Sequence, residues 1–322
     1  MANAATHQDS IRAMAATRRT GIGATLDYVG RNYWLYVFLL PGLAMLFVFN
    51  YIPMYGVVIA FKEFSLVRGI MASPWVGFQN FQYLFQSDSF YRVFRNSVLI
   101  SLYRLLWGFP APILLAILLN EVRGTLFKRG VQTIIYLPHF ISWVVIAGLV
   151  ANFLSPSRGI VNHVIRSLGG TPIAFLQRAE YFRSVIVLSE IWKTAGWGTI
   201  IYLAAMSGID PQLYEAAIID GAGRIARIRH ITMPGIMSTV VVLLILRMGH
   251  VLRNGFEQIF LLYSPLVYSV ADVFETYTYR VGLLEGRFAF ATAVGLFQSF
   301  IGLALILATN RLAKKYGEGG LW

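Results

Sequence analysis

The chain has 322 residues, 57% of them hydrophobic and 15% aromatic, with only 13% charged and no cysteine. Soluble domains carry about 25% charged residues, so a chain with a mean hydropathy of +0.62 cannot clothe itself in polar side chains and reads as a membrane protein. The net charge of +12 does not read as nucleic-acid binding, because the basic residues are scattered over short loops and ends instead of forming one stripe.

In chain order, residues 1–33 are polar, carry Arg12, Arg18, Arg19 and Arg31, and lack the apolar core and cleavage site of a signal peptide. Six apolar runs follow, each about 20 residues or longer, the length an α-helix needs to cross a bilayer. They predict transmembrane helices over 34–60, 97–119, 131–154, 184–208, 236–262 and 288–310. The expected fold class is therefore an all-α membrane protein with about six transmembrane helices. Residues 1–33 form an N-terminal segment, 34–310 the transmembrane domain and 311–322 a tail. An even number of crossings puts both ends on one side. The ends and the 120–130 and 210–235 loops hold thirteen lysines and arginines against ten in the opposite loops, a bias that places both termini in the cytoplasm.

Several predicted spans contain helix breakers: Pro41 and Pro53, Pro110 and Pro112, Pro138, Gly196 and Gly198. In lipid the backbone groups they free have to be satisfied by neighbouring helices, so these positions are expected to face protein or a cavity. No internal repeat is evident, which removes the inverted-repeat pattern of many secondary transporters.

Between the fourth and fifth runs lies DPQLYEAAIIDGAGRIARIRHITMPGI. Asp210 followed by Pro211 is a helix-start signal, and a short helix through Glu215 to Ile219 is expected to end at Gly221 and Gly223. The basic stretch Arg224 to His230 then leads to Pro234 at the expected mouth of the fifth span. The order Glu215, Ala216, Ala217, Gly221, Ile231, Met233, Pro234 resembles the EAA loop of binding-protein-dependent ABC importer permeases, with Met233 where that family usually has Leu.

LPGLAMLFVFNYIPMYGVVIAF from Leu40, WVGFQNFQYLF from Trp75, YLPHFISWVV from Tyr136 and NRLAKKYGEGGLW from Asn310 are similar to the oligosaccharide and polysaccharide branch of that family, aldouronate and alginate importers included. The resemblance implies a type I ABC importer permease fold with a cytoplasmic coupling helix, in the inner membrane, forming half of a pore for a glycan. It further implies docking on an ATPase through Glu215, Ala216, Ala217, Asp220, Gly221 and Pro234. The implied partners are a second permease subunit, two ATPase subunits, an extracytoplasmic solute-binding protein and membrane lipid, with no nucleic acid. The chain has no GxxxxGK[ST] loop, so ATP and Mg are expected to come through the partner ATPase and no cofactor is expected on this chain.

Ionisable residues inside spans are functional candidates by default. Outside the flanks these are Arg104, Glu190, Lys193, Arg247, Arg253 and Glu257, with His250. Glu190, Lys193, Thr194 and Trp197 share one face of the fourth helix, and Arg247, His250, Arg253, Asn254 and Glu257 share one sector of the fifth, if each is continuous. Antiparallel depth pairs Glu190 with Arg253, or Lys193 with Glu257. Four cations against two carboxylates leave a positive excess suited to an anionic uronate glycan such as alginate, with Trp197 available to stack on a sugar ring; buried structural ion pairs explain the same residues.

Two other classes compete. A proton-coupled secondary transporter would use Glu190 and Glu257. An integral membrane enzyme would need converging acid, base or metal ligands, and the five histidines show no metal-ligand spacing, so no catalytic or metal site is expected.

Overall fold

The computed structural model describes residues 28–315. Among them the regular structure is helical, with a single isolated antiparallel bridge between Lys62 and Trp75. The chain forms two compact units, one ending at Val58 and the other beginning at Ile59.

Four helices are long and apolar enough to cross a membrane. They are α1 (Tyr33–Phe61), α2 (Asp88–Glu121), α7 (Arg224–Gly249) and α9 (Phe288–Lys315). A bent pair, α3 (Thr125–Phe140) and α4 (Trp143–Phe153), makes a fifth candidate, with 104° between its halves. The sixth long helix, α5 (Ala179–Ser207), has 29 residues and spans ~43 Å at 1.5 Å per residue. It carries Glu190 and Lys193 and is less apolar than the others. Between α5 and α7 lies the short α6 (Pro211–Ile219), and after α7 comes α8 (Phe256–Leu262).

Two predicted spans need correction. The third, expected over 131–154, is not one helix: it breaks at Ile141 and Ser142, just after Pro138, and Ser142 caps α4 by accepting from the Val145 N–H at 3.4 Å. The fifth, expected over 236–262, is a continuous helix only to Gly249; the chain then opens before re-forming as α8 after Gly255, whose φ of +69° suits glycine alone among common residues. At its other end α7 begins at Arg224, so Pro234 lies inside the helix and not at its mouth.

Pro234 is tolerated there for a structural reason that recurs. A π-helical turn, Ile228–Thr232, precedes it and contains His230, the residue whose carbonyl the proline ring would otherwise strike. The same device precedes Pro110 (Arg104–Gly108) and Pro53 (Phe47–Tyr51). Each wider turn lets the helix continue past a proline.

In the unit that begins at Ile59, α5 is the central post. A Cβ on Gly196 would lie 1.9 Å from the Ile135 carbonyl oxygen of α3, and one on Gly198 would lie 2.9 Å from Pro112 Cβ of α2. Glycine at these two positions is what allows both neighbours to approach the α5 backbone. One apolar cluster joins α2, α5 and α7 through Ile113, Ala116, Tyr202, Met206 and Ile236. Another gathers Ile100, Ala147, Phe182, Ile186 and Ile259 from α2, α4, α5 and α8. A third packs Phe90 and Val93 against Phe274, Phe290 and Val294.

Candidate functional site

The loop singled out by sequence folds as a capped helix. Asp210 Oδ1 accepts from the Gln212 N–H at 2.9 Å, and Pro211 occupies the first helical position, where a missing N–H is harmless. At the other end Ala222 N–H donates to Ala217 C=O at 2.8 Å and Gly221 N–H to Ile218 C=O at 3.0 Å, the paired bonds of a Schellman ending. Gly221 has φ +77°, which explains why a glycine stands there. Tyr214 Oη meets Thr232 Oγ1 at 3.0 Å and fastens α6 to the base of α7. No residue of α6 is buried. Glu215, Ala216 and Asp220 are exposed and Ala217 is half-buried, while Ile218 and Ile219 also reach outward. The α6 helix thus presents small, apolar and acidic side chains on a helix rigidly joined to α7.

The second candidate region is the polar interior of the helical bundle. Its centre is Arg104, in the π turn of α2 and 7% exposed. Its guanidinium makes an ion pair with Glu190 of α5, donates from Nη1 to the Asn254 carbonyl at 2.6 Å, and donates from Nη2 to Gln258 Oε1. Gln258 passes the connection back to α5 through the Ile186 carbonyl at 2.7 Å and Ser189 Oγ at 2.8 Å. Arg247 approaches the other oxygen of Glu190 at 4.0 Å and donates to the Arg104 carbonyl at 3.4 Å. Asn254, fully buried, receives Ser101 Oγ at 3.1 Å and donates to the Ser97 carbonyl at 3.2 Å, while its backbone N–H donates to Glu275 Oε1 at 2.9 Å.

Lys193 closes the other broken helix. Its ammonium donates to the carbonyls of Pro138, at 3.4 Å, His139, at 2.9 Å, and Ile141, and lies 5.5 Å from the Trp143 ring centre. These carbonyls stand at the C-terminal end of α3, where Pro138 keeps one backbone donor, the Ile141 N–H at 3.2 Å, and the helix dipole favours a cation. The two interruptions are therefore treated alike: each frees backbone carbonyls inside the bundle, and a cation from a neighbouring helix satisfies them.

The expected pairs Glu190 with Arg253 and Lys193 with Glu257 do not form. Glu190 meets Arg104 and Arg247, and Lys193 turns to the α3 carbonyls. The expectation rested on α7 running straight to residue 262, and the break after Gly249 reorients every later side chain. His250, Arg253 and Glu257 are exposed instead. Trp197 stacks flat on His139, with ring centres 4.6 Å apart and 3° between planes, and is 43% exposed. Arg104, Ser101, Gln258 and Glu275 hold the break together, yet sequence reading gave only Arg104 notice, as one charge among several. Its partners Asn254 and Gln258 lie about 150 residues away, and no local spacing links them.

A model of the family described as "binding-protein-dependent transport system inner membrane component" matches residues 108–317. The chain belongs to that family. It is 48% identical to Protein LplB of Bacillus subtilis (strain 168) over 91% of this chain and 92% of LplB. It is also 48% identical to the polygalacturonan/rhamnogalacturonan transport system permease protein YteP of the same organism, over 90% of each. Among solved structures it superposes with a TM-score of 0.85 on a chain of a bacterial ABC transporter involved in the import of the acidic polysaccharide alginate, at 45% identity, covering 91% of this chain and 99% of that one. A second structure, of a bacterial alginate ABC transporter in complex with alginate pentasaccharide-bound periplasmic protein, matches at the same TM-score and 44% identity, over 92% and 99%. The chain is thus a permease subunit of a sugar or polysaccharide ABC importer of the inner membrane, with the type I permease fold, and a transport component and not an enzyme.

Proposed function

We propose that this permease serves an importer of anionic, uronate-containing oligosaccharides, and that α6 is the element through which a partner ATPase drives it. The observation that carries the coupling role is mechanical. The α6 helix has no buried residue, is capped at both ends and is tied to α7 through Tyr214 and Thr232, so a displacement of α6 is passed to a long transmembrane helix. Glu215 offers a charged acceptor, Ala216 and Ala217 allow close approach, Asp220 and Gly221 form the turn, and Pro234 lies in the helix that receives the motion. ATP and Mg would be held by the ATPase partner. A second permease would complete the pore, and an extracytoplasmic binding protein would deliver the glycan, with both termini on the ATPase side.

The proposed path runs past Trp197, Arg247, His250, Arg253 and Glu257, with Glu190, Lys193 and Asn254 forming the wall behind them. Arg253 is the exposed in-span cation that makes no ion pair among the described residues, which leaves its charge for a uronate carboxylate. The similarity to YteP and to an alginate importer chain favours an acidic glycan.

The test is ATP hydrolysis by the reconstituted complex of both permeases, ATPases and binding protein, with neutral and uronate oligosaccharides. Native complex should be stimulated by uronates. Glu215→Ala and Gly221→Pro should abolish stimulation while leaving basal hydrolysis by the ATPase subunits measurable. Arg253→Gln should reduce uronate transport by roughly tenfold, the value of one charge-assisted contact, and leave any neutral substrate unaffected. Full stimulation in the Gly221→Pro complex would sink the coupling role, and unchanged uronate transport in the Arg253→Gln complex would sink the anionic path.

A further inference from the structure

A polar crook lies between the end of α2 and the α6 loop. It encloses about 330 Å³ and is lined by Asn120, Glu121, Arg123, Tyr214, Arg224 and Arg227, with Val122. Three guanidinium groups meet one carboxylate there, so the lining is left with a positive excess. Glu121 does not quench them, because none of the three arginines makes an ion pair or a side-chain hydrogen bond among the described residues. Clustered arginines repel one another, and a fold that gathers three of them around a cavity leaves room for an anion with several acceptor oxygens.

The position selects the source of that anion. Asn120 and Glu121 are the last residues of α2, a helix long and apolar enough to cross the membrane, and Arg224 and Arg227 open α7, another such helix. Asn120 follows directly on the apolar run of α2, so that side of the crook sits where the span leaves the hydrocarbon, near the depth of lipid phosphates. Arg224 and Arg227 are three residues apart, on the same side of the first turn of α7. Tyr214 brings α6 to the same cavity, and its hydroxyl is held by Thr232.

We propose that this crook binds the phosphate of an anionic lipid headgroup and that the bound lipid braces α6 against the end of α2. With the anion in place, Arg123 of the loop after α2 and the two arginines of α7 are drawn to a common centre and the α6 loop is held in one orientation. Without it, their mutual repulsion loosens the loop. The proposal depends on the fold and not on which glycan is carried.

The experiment uses the assembled importer in nanodiscs of phosphatidylcholine alone or with phosphatidylglycerol at about one part in four. Lipid retained by the complex is read by native mass spectrometry, and ATP hydrolysis is measured on the same samples. Native complex should retain phosphatidylglycerol and hydrolyse faster with it. Arg224→Gln/Arg227→Gln should lower retention by about tenfold or more and remove the lipid dependence. Glu121→Gln, which removes the opposing carboxylate, should raise retention, an outcome that a merely damaged loop would not give. Equal retention in native and double variant overturns the proposal. So does loss of retention on adding inorganic phosphate, which would make the crook a soluble-anion site, and so does failure of the double variant to hold its ATPases, which would make the arginines part of that contact.

Discussion

Arg104→Met is expected to destabilise the permease by about 3 kcal/mol, the lower end for removing one partner of a buried pair, since Glu190 retains some exposure. The loss has three parts that arise together. Glu190 keeps only Arg247, at 4.0 Å, and the Asn254 carbonyl and Gln258 side chain both lose a charged donor inside the bundle. Thermal unfolding of the purified protein in detergent would show a lower midpoint. The pair can be separated from the cap by combining variants: Arg104→Met with Glu190→Gln should recover part of the loss, because the stranded carboxylate is gone. It should not recover all of it, because the break after Gly249 still lacks its donor. Additive losses in the double variant would show that Glu190 and Arg104 are not coupled.

Gly196→Ala is expected to cost about as much, through backbone and not charge. The added carbon would stand 1.9 Å from the Ile135 carbonyl oxygen and 2.5 Å from its carbon, contacts that no side-chain rotation can relieve. The α3 and α5 helices must separate, which withdraws the α3 carbonyls from Lys193 as well, so the cost should exceed the ~1–3 kcal/mol usual for overpacking. Gly148→Ala in α4 is the matched control. Nothing lies within 4 Å of its new carbon, and alanine there should be neutral or stabilising by about 0.5–1 kcal/mol. Equal unfolding midpoints for the two variants would contradict the close approach of α3 and α5.

What sequence could and could not reveal divides along a physical line. Features set by neighbouring residues were legible. Asp210 before Pro211, and glycine at 221, mark a short capped helix, and the α6 structure has that start and that Schellman end. Apolar runs located α1, α2 and α9 because hydropathy over about 20 residues follows directly from the thickness of the bilayer. Side-chain pairing across helices was not legible, because it was inferred by extending an ideal helix through residues 250–255. The break does have local signals, the Asn254–Gly255 turn pair and the charges around it, but they follow directly on a long apolar run that reads as one span. Pro234 misled in the opposite sense, since a proline usually marks a helix start, and a π turn just before it let α7 begin at Arg224.

The caps on the two broken helices bear on how the chain is made. A lysine near the centre of a helix opposes insertion by about 2.5–3.5 kcal/mol, and α5 adds a glutamate one turn away. As a solitary segment emerging from the ribosome it is a poor candidate for the bilayer. Its nearer partners, Arg104 on α2 and the carbonyls that end α3, lie earlier in the chain and are synthesised first, while Arg247, at 4.0 Å from Glu190, follows later. The α5 helix therefore enters a membrane in which its counter-charge and its acceptors are already in place, and the order of the helices along the sequence is also a workable order of assembly.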